Sequence, residues 1–470
     1  MRTLLAALFI MTSISAQSQI PQFPEGNWQG TLDTGMGKIR LVFHITRSPD
    51  GKLTGAMDSP DQGAFGLAFA EVVATSDAVQ MKLAAPVASF SGTSNAERSE
   101  ISGFWEQGGA KLALALQRAT GDEDAAPARP QTPKPPFPYR SEDVTYPSKA
   151  ADVQLAGTLT LPQTGGPFPA VLLITGSGAQ DRDETILGHK PFWVIADYLT
   201  RNGIAVLRVD DRGTAKSTGN FAAATTADFV DDAAGSVAWL RTRKEIDGER
   251  IGLIGHSEGA TVGPMLAVRD GHIAFIVMLA GIAVPGRDVL KAQRAAIAKA
   301  SGLDDAEVAV IEARVEKFAS LATGPTPPTD AEIQAAVDRG LTTLPEAARK
   351  GAEPALRGQA RMMASPWMRF FYTFDPASVL TKLTIPVLAI NGSLDTQVVP
   401  SQNLPVIAAC LEKAGNRDYE ILKLPGLNHL MQTVKTGAPQ EYAATEETMA
   451  PVVLDSVTTW ILRHAGHPAR

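Results

Sequence analysis

One cysteine in 470 residues, Cys410, leaves no partner for an intrachain disulfide and no thiolates for a zinc cluster. It also stands far from the lipid-attachment position of a bacterial lipoprotein. Basic residues are the minority: 43 Lys and Arg against 50 Asp and Glu give a net charge of −7 without a basic run, so nucleic acid is not an expected partner. No apolar run after the N-terminus reaches the roughly 20 residues of a membrane-spanning helix. The seven histidines are scattered, His256 and Glu258 have no cysteine partners, and no metal or cofactor is expected. Gly213-Thr214-Ala215-Lys216-Ser217-Thr218 has the Lys-Ser of a phosphate loop but lacks its glycines. What remains is ordinary globular material, 44% hydrophobic and 20% charged, which excludes wholesale disorder. The length suggests about three structural units at roughly 150 residues each.

Residues 1–18 read as a signal peptide. Arg2 precedes an apolar run over 4–14, and Ala16-Gln17-Ser18 resembles a small-residue cleavage site, so the mature protein is expected to be exported, periplasmic or secreted. Residues 20–118 alternate with period two, as in Ile39, Leu41, Phe43 and Ile45 or Leu112, Leu114 and Leu116, which predicts a small antiparallel β domain, barrel or sandwich. Gly26-Asn27-Trp28 and Gly103-Phe104-Trp105 are a weak echo that matching strands of a closing sheet would give. Proline at 127, 130, 133, 135, 136 and 138 marks 119–140 as a stiff, exposed linker; a docked Pro-rich loop would leave the boundary in the same place.

From 141 to 465 the pattern changes. Buried strand runs at 170–174, 204–207, 251–254, 275–279, 387–390 and 419–422 alternate with helical stretches at 190–201, 226–243, 258–269 and 401–413. Near-continuous Val/Ile/Leu runs suit strands covered on both faces, so the expected architecture is a mostly parallel sheet with helices on both sides. The interval 286–375 is too long for a crossover and too helical for a loop, and is expected to be a helical cap.

The decisive motif is Gly255-His256-Ser257-Glu258-Gly259, between a buried strand and a helix. G-x-S-x-G in that context is a nucleophile elbow, with Ser257 presented on a strained turn that glycines make room for; a structural turn serine is the alternative. A serine hydroxyl needs a base, and the base a carboxylate. His429, in the loop after the strand at 419–424, is the expected base, while His464 and His467 fall in the final tail; a solvated loop histidine is the alternative. Asp395, after the strand at 386–390, is the expected orienting acid rather than a turn former, and Glu412 and Asp418 fit worse. Oxyanion donors are expected from the backbone N–H of Glu258 and from Thr175-Gly176-Ser177-Gly178, with Ser177 favoured and Gly178 the alternative. The charges that follow in Gln180-Asp181-Arg182-Asp183-Glu184 read equally as an ion-pair network or a solvated run. Trp367 and Phe371, with Phe370 and Tyr372, either line a substrate pocket or fill the cap core.

Taken together, Thr175 to Asp183, Val209-Asp210-Asp211-Arg212-Gly213, the elbow, Ser365-Pro366-Trp367 and Gly392-Ser393-Leu394-Asp395 resemble the bacterial α/β-hydrolase esterases of the EstD type over about residues 140–465. The resemblance implies the α/β-hydrolase fold and cofactor-free hydrolysis of small to medium carboxylic esters by Ser257, Asp395 and His429. Two departures stand out: Thr175-Gly176 replaces the His-Gly of many α/β-hydrolases, and Ala215 stands where glycine is common. The same triad on this fold also serves peptidases and thioesterases. A reading of another class makes the N-terminal β unit a cell-wall or carbohydrate binding module with an auxiliary hydrolase. About 100 residues are too few for the propeller of a prolyl-oligopeptidase. The natural ester, the acyl preference and the oligomeric state are not legible in the sequence.

Overall fold

The alternation in the first hundred residues closes on itself. The computed structural model describes residues 23–465 except 34–37, 49, 61–63, 84–86, 108–109, 120–127, 151 and 345. The predicted signal peptide, part of the linker and His467 therefore lie outside the described residues. Two compact units are distinguished, with Asp124 ending the first and Ala125–Arg470 in the second.

In the first unit, strands β1 (Gly26–Asp33), β2 (Lys38–Arg47), β3 (Leu53–Ser59), β4 (Ala64–Ala74), β5 (Ala78–Leu83), β6 (Ala88–Ser94), β7 (Glu100–Gln107) and β8 (Ala110–Arg118) form a closed barrel in sequence order. Inward positions on β2 put Leu41, Phe43 and Ile45 into a core with Trp28, Met81, Phe90, Trp105 and Leu116. Phe43 meets Phe90 and Trp105 edge-on at 5.3 and 6.1 Å. Closure runs through Trp28↔Arg118 and Gln29↔Gln117, between β1 and β8. The two Gly-x-Trp triplets sit on β1 and β7, so they are not the pair that closes the sheet.

In the second unit, β9 (Tyr139–Pro147), β10 (Gln154–Pro162), β11 (Phe168–Ile174), β12 (Ala205–Val209), β13 (Ile246–His256), β14 (Ile276–Leu279), β15 (Val387–Gly392) and β16 (Tyr419–Leu424) form one sheet in the order β16-β15-β14-β13-β11-β12-β10-β9. The run from β12 to β16 is parallel, while β10 pairs antiparallel with both β12 and β9. This is the expected α/β-hydrolase fold, with β9 and β10 added to the strands read from the apolar runs. Along β11, Ala170, Leu172 and Ile174 face one core and Val171 and Leu173 the other. The first core is covered by α2 (Thr226–Leu240), α3 (Gly259–Asp270) and α11 (Pro400–Lys413), the second by α1 (Pro191–Arg201) and α13 (Pro451–Ala465). Cys410 is buried in the first.

The cap is helical as expected: α4 (Gly286–Ala300), α5 (Asp305–Glu316), α6 (Ala319–Thr323), α7 (Asp330–Leu341), α8 (Glu346–Ala364) and α9 (Pro366–Thr373) precede α10 (Ala377–Leu380), and α12 (Glu441–Ala444) lies before α13. Phe318, Val337, Leu356, Met363, Met368 and Tyr372 make its own core. The described part of the predicted linker is docked. Arg129 donates to the carbonyls of Leu187, Ala443 and Thr445 at 2.8–2.9 Å, and the Gln131 side chain bonds Thr448 N and Met449 N and O. Burying those carbonyls requires such donors, which makes this stretch part of the hydrolase unit rather than a free spacer. Among the described residues, no helix is long and apolar enough to cross a membrane.

Candidate active site

Because β11, β13, β15 and β16 run parallel, the loops after them open at one edge of the sheet, where ligand sites of α/β folds lie. Each loop delivers one part. β13 ends at His256, and Ser257 follows at φ +53°, in the left-handed region that side chains avoid. Its neighbours show why: a Cβ on Gly255 would stand 2.1 Å from Gly259 O, and one on Gly259 would stand 2.1 Å from Ile174 O. Only glycine permits the chain to pass so close. Ser257 N donates to Leu279 O at 2.8 Å, tying the turn to β14.

The loop after β15 carries Asp395, 3% exposed, and the loop after β16 carries His429, 4% exposed. His429 Nδ1 donates to Asp395 Oδ2 at 2.9 Å. The other carboxylate oxygen accepts from Gln397 N and Val398 N at 2.8 and 2.9 Å, so the acid is held before it holds the ring. With Nδ1 engaged as donor, Nε2 is left as an acceptor, the form a general base needs.

Ser257 and His429 line one cavity of about 450 Å³ with Gly176, Ser177, His256, Trp367 and Phe371. Of the two oxyanion-loop alternatives, Ser177 lines this cavity, whereas Gly178 (φ +105°) is not among its lining residues. Gly176 N is already committed to Glu184 Oε1 at 2.7 Å. Glu258 directly follows Ser257 and caps α3. Trp367 and Phe371 stack at 5.2 Å and both line the cavity while packing against the cap core, so the two alternative fates coexist. Tyr372 is buried in that core, and Phe370 stacks on Phe374.

The charges after the oxyanion loop form ion pairs. Arg182 binds both oxygens of Asp210, Arg208 pairs with Asp183, and Glu184 Oε1 accepts from His256 Nδ1 at 2.9 Å. The other His256 nitrogen faces the His429 carbonyl at 3.1 Å, so both ring nitrogens meet acceptors. Burial works against charge on His256, but the Glu184 carboxylate and the His429 carbonyl hold its pKa above the ordinary histidine value. Beneath the loop, burial pushes the Asp211 carboxyl up to about 8, against the Thr175 hydroxyl and Gln180 amide that bond it. Ala215 has φ +46°, the backbone region that makes glycine common there.

Sequence reasoning missed the Glu184–His256 pair and the burial of Glu258, whose Oε1 accepts from Thr226 Oγ1 at 2.6 Å and Trp367 Nε1 at 2.8 Å. Nothing in the sequence signalled that the His256 and Glu258 side chains, in the variable places of the motif, would be buried and bonded. Among the described residues no group of three or more His, Cys, Asp or Glu is arranged to hold a metal.

Residues 151–413 match the family described as X-Pro dipeptidyl-peptidase (S15 family). The chain is 28% identical over 376 residues, 78% of each protein, to Esterase EstD of Thermotoga maritima. Among solved structures it is similar to the α/β hydrolase GrgF from Penicillium sp. sh18, at 16% identity and TM-score 0.44, covering 70% of this chain and 100% of that one. It is also similar to Est1E from Butyrivibrio proteoclasticus with ferulic acid bound, at 14% identity and TM-score 0.40, covering 69% and 100%.

Proposed function

The chain belongs to the X-Pro dipeptidyl-peptidase (S15) family and is a serine hydrolase of the α/β-hydrolase fold; from that premise we propose that it hydrolyses short to medium acyl carboxylic esters through an acyl-enzyme. The observation that carries the reading is the buried 2.9 Å bond from His429 Nδ1 to Asp395, beside Ser257 on its left-handed turn, at a cavity with an apolar wall. Ser257 Oγ attacks the ester carbonyl while His429 Nε2 takes its proton, and the backbone N–H groups of Glu258 and Ser177 receive the oxyanion. Collapse expels the alcohol, which takes the proton from His429. Water, deprotonated by the same ring, then attacks the acyl-enzyme and releases the acid. Asp395 keeps the ring in the tautomer that both halves use and stabilises the imidazolium. The similarity to Esterase EstD supports an ester rather than an amide as substrate.

The test is turnover of a para-nitrophenyl ester series from acetyl to dodecanoyl by wild type and Ser257→Ala. Turnover of the shorter esters, reduced by about 10³-fold or more in the variant, is expected; equal turnover in the variant overturns the assignment. The family description favours a second reading, cleavage of X-Pro dipeptides. A peptide's terminal ammonium would seek a free carboxylate, and the one carboxylate among the described lining residues, Glu184, is bound to His256. Release of para-nitroaniline from an X-Pro para-nitroanilide at a rate matching the esters would favour it. We also place the protein outside the cytoplasm, on the support of Arg2, the apolar run over 4–14 and Ala16-Gln17-Ser18; N-terminal sequencing of the mature protein and cell fractionation test this.

A further inference from the structure

The walls of the cavity above Ser257 contain four ionisable side chains among the described residues: Glu184, His256, Arg294 and His429. Three are accounted for. Glu184 and His256 bond each other, and His429 is bound to Asp395. Arg294, on the cap helix α4, is different. Its Nε is buried without a hydrogen-bond partner, and among the described residues no carboxylate lies within ion-pairing distance of its guanidinium. Two carboxylates influence the same corner, around Tyr372: Asp288, which is taken by Arg287 at 3.5 Å, and Glu316, which is exposed.

Arg294 is partly exposed, but its buried Nε has no acceptor, and a ligand oxygen entering the cavity would complete it. Its surroundings are shaped for an organic ligand. Leu290, Met362, Met363, Met368 and Phe371 supply apolar wall, and the polar neighbours are neutral amides, Gln293, Gln359 and Gln397. These amides are partly tied to the catalytic loops. Gln293 Nε2 reaches Gln397 Oε1 at 3.4 Å, and Gln397 N bonds Asp395 at 2.8 Å. The charge therefore stands on a wall continuous with the triad.

We propose that Arg294 is a specificity determinant that selects esters carrying a second, ionised carboxylate. The inference rests on the serine esterase reading and narrows its substrate class. A guanidinium offers a planar fork that matches a carboxylate with two parallel N–H donors, and the apolar wall takes the carbon skeleton between the carboxylate and the ester. One guanidinium balances one charge, which favours a carboxylate over a phosphate dianion. A neutral ester of the same shape would leave the guanidinium unpaired, so discrimination comes from the cost of the wrong ligand as well as the gain from the right one.

The experiment compares two matched pairs with the full-length mature enzyme. One places the charge on the alcohol side, para-acetoxybenzoate against para-acetoxybenzamide. The other places it on the acyl side, mono-para-nitrophenyl suberate against para-nitrophenyl nonanoate. The readout is the ratio of kcat/KM within each pair, which cancels any difference in the fraction of correctly folded enzyme. Wild type is expected to favour the anion by about tenfold or more in at least one pair, mainly through KM. Arg294→Gln is expected to lose about tenfold or more of that ratio, and Arg294→Lys to keep part of it. Equal ratios in wild type and Arg294→Gln, or preference for the neutral ester in both pairs, overturn the inference and leave the esterase reading standing. Failure of wild type to turn over any of the four esters sinks that reading and this inference with it.

Discussion

Glu258 lies immediately after Ser257, is 1% exposed, and among the described residues has no cation beside it. Burial raises its pKa above the ordinary value of 4.5, against the Thr226 and Trp367 donors that bond its charged form and the Ser177 hydroxyl that faces it. Oε1 accepts twice, from Thr226 and from Trp367 of the cap, whereas the buried Oε2 has no hydrogen-bond partner. Burial without a neighbouring cation favours the protonated form, and Oε2 is the oxygen with no donor to hold a charge. The sign of the pH dependence follows. Between 4.5 and its raised folded value, the folded state holds a proton that the unfolded state has released, so stability falls as pH rises, by up to about 1.4 kcal/mol per pH unit. Glu258→Gln retains the accepting oxygen and has nothing to ionise. At about pH 5 it should match wild type or be less stable by about 1 kcal/mol, since an amide nitrogen replaces Oε2 without a partner. From there toward about pH 8 the difference should swing in favour of the variant with the slope given above, until the folded pKa of Glu258 is passed. Urea unfolding of both proteins across that range measures it. A difference flat in pH refutes the reasoning, because it would mean that Glu258 is ionised in the folded protein. Glu258→Ala should instead be destabilised throughout, by about 1–3 kcal/mol for each donor left without an acceptor.

Asp211, raised to about 8 by burial, should add a second loss of stability as pH rises from about 4 to about 8, and Asp211→Asn should abolish that component in the same urea titration. Asp395→Asn retains an oxygen for Gln397 N and Val398 N but favours the wrong His429 tautomer, so kcat on a neutral ester should fall by about 10³–10⁴-fold with little change in Tm; a fall below about tenfold counts against the triad. Gly259→Ala forces a Cβ to 2.1 Å from the Ile174 carbonyl, a backbone atom that cannot swing away, and should lower both Tm and kcat. Gly358, mid-helix in α8 with nothing within 4 Å of where an added methyl would stand, should tolerate alanine with a gain of about 0.5–1 kcal/mol, read as a higher Tm.

The strands, the cap and the loop positions of Ser257, Asp395 and His429 were legible because each leaves a local signature: an apolar run, a helical period, or a loop after a strand. The antiparallel pair β9 and β10 was harder. Tyr139–Pro147 lies next to a proline-rich stretch and, between the buried Tyr139 and Tyr146, alternates half-buried with exposed positions, so it has no continuous apolar run. Gln154–Pro162 is buried along most of its length but interleaves threonines, Thr158 and Thr160, whose hydroxyls are satisfied by Asp143 and Thr200. Such partners come from distant segments, and no local pattern announces them.

The same limit explains the site. His256 and Glu258 occupy the variable places of G-x-S-x-G, where a sequence reader expects indifference, yet both side chains are buried and each binds a different part of the site. His256 joins Glu184 on the oxyanion side to the backbone of His429, while Glu258 joins Trp367 of the cap to Thr226 at the start of α2. One elbow thereby fixes the His429 loop, the Glu184 loop and the cap relative to Ser257, and a site held to a fraction of an ångström depends on such supports. The charge states follow from the partners. The carboxylate opposite His256 favours the charged ring, and burial without a cation opposite Glu258 favours the neutral acid. Arg294 is the complementary case: on a surface helix an arginine four residues past an apolar position reads as solvated, and only the folded cap makes it part of the wall of the cavity at Ser257.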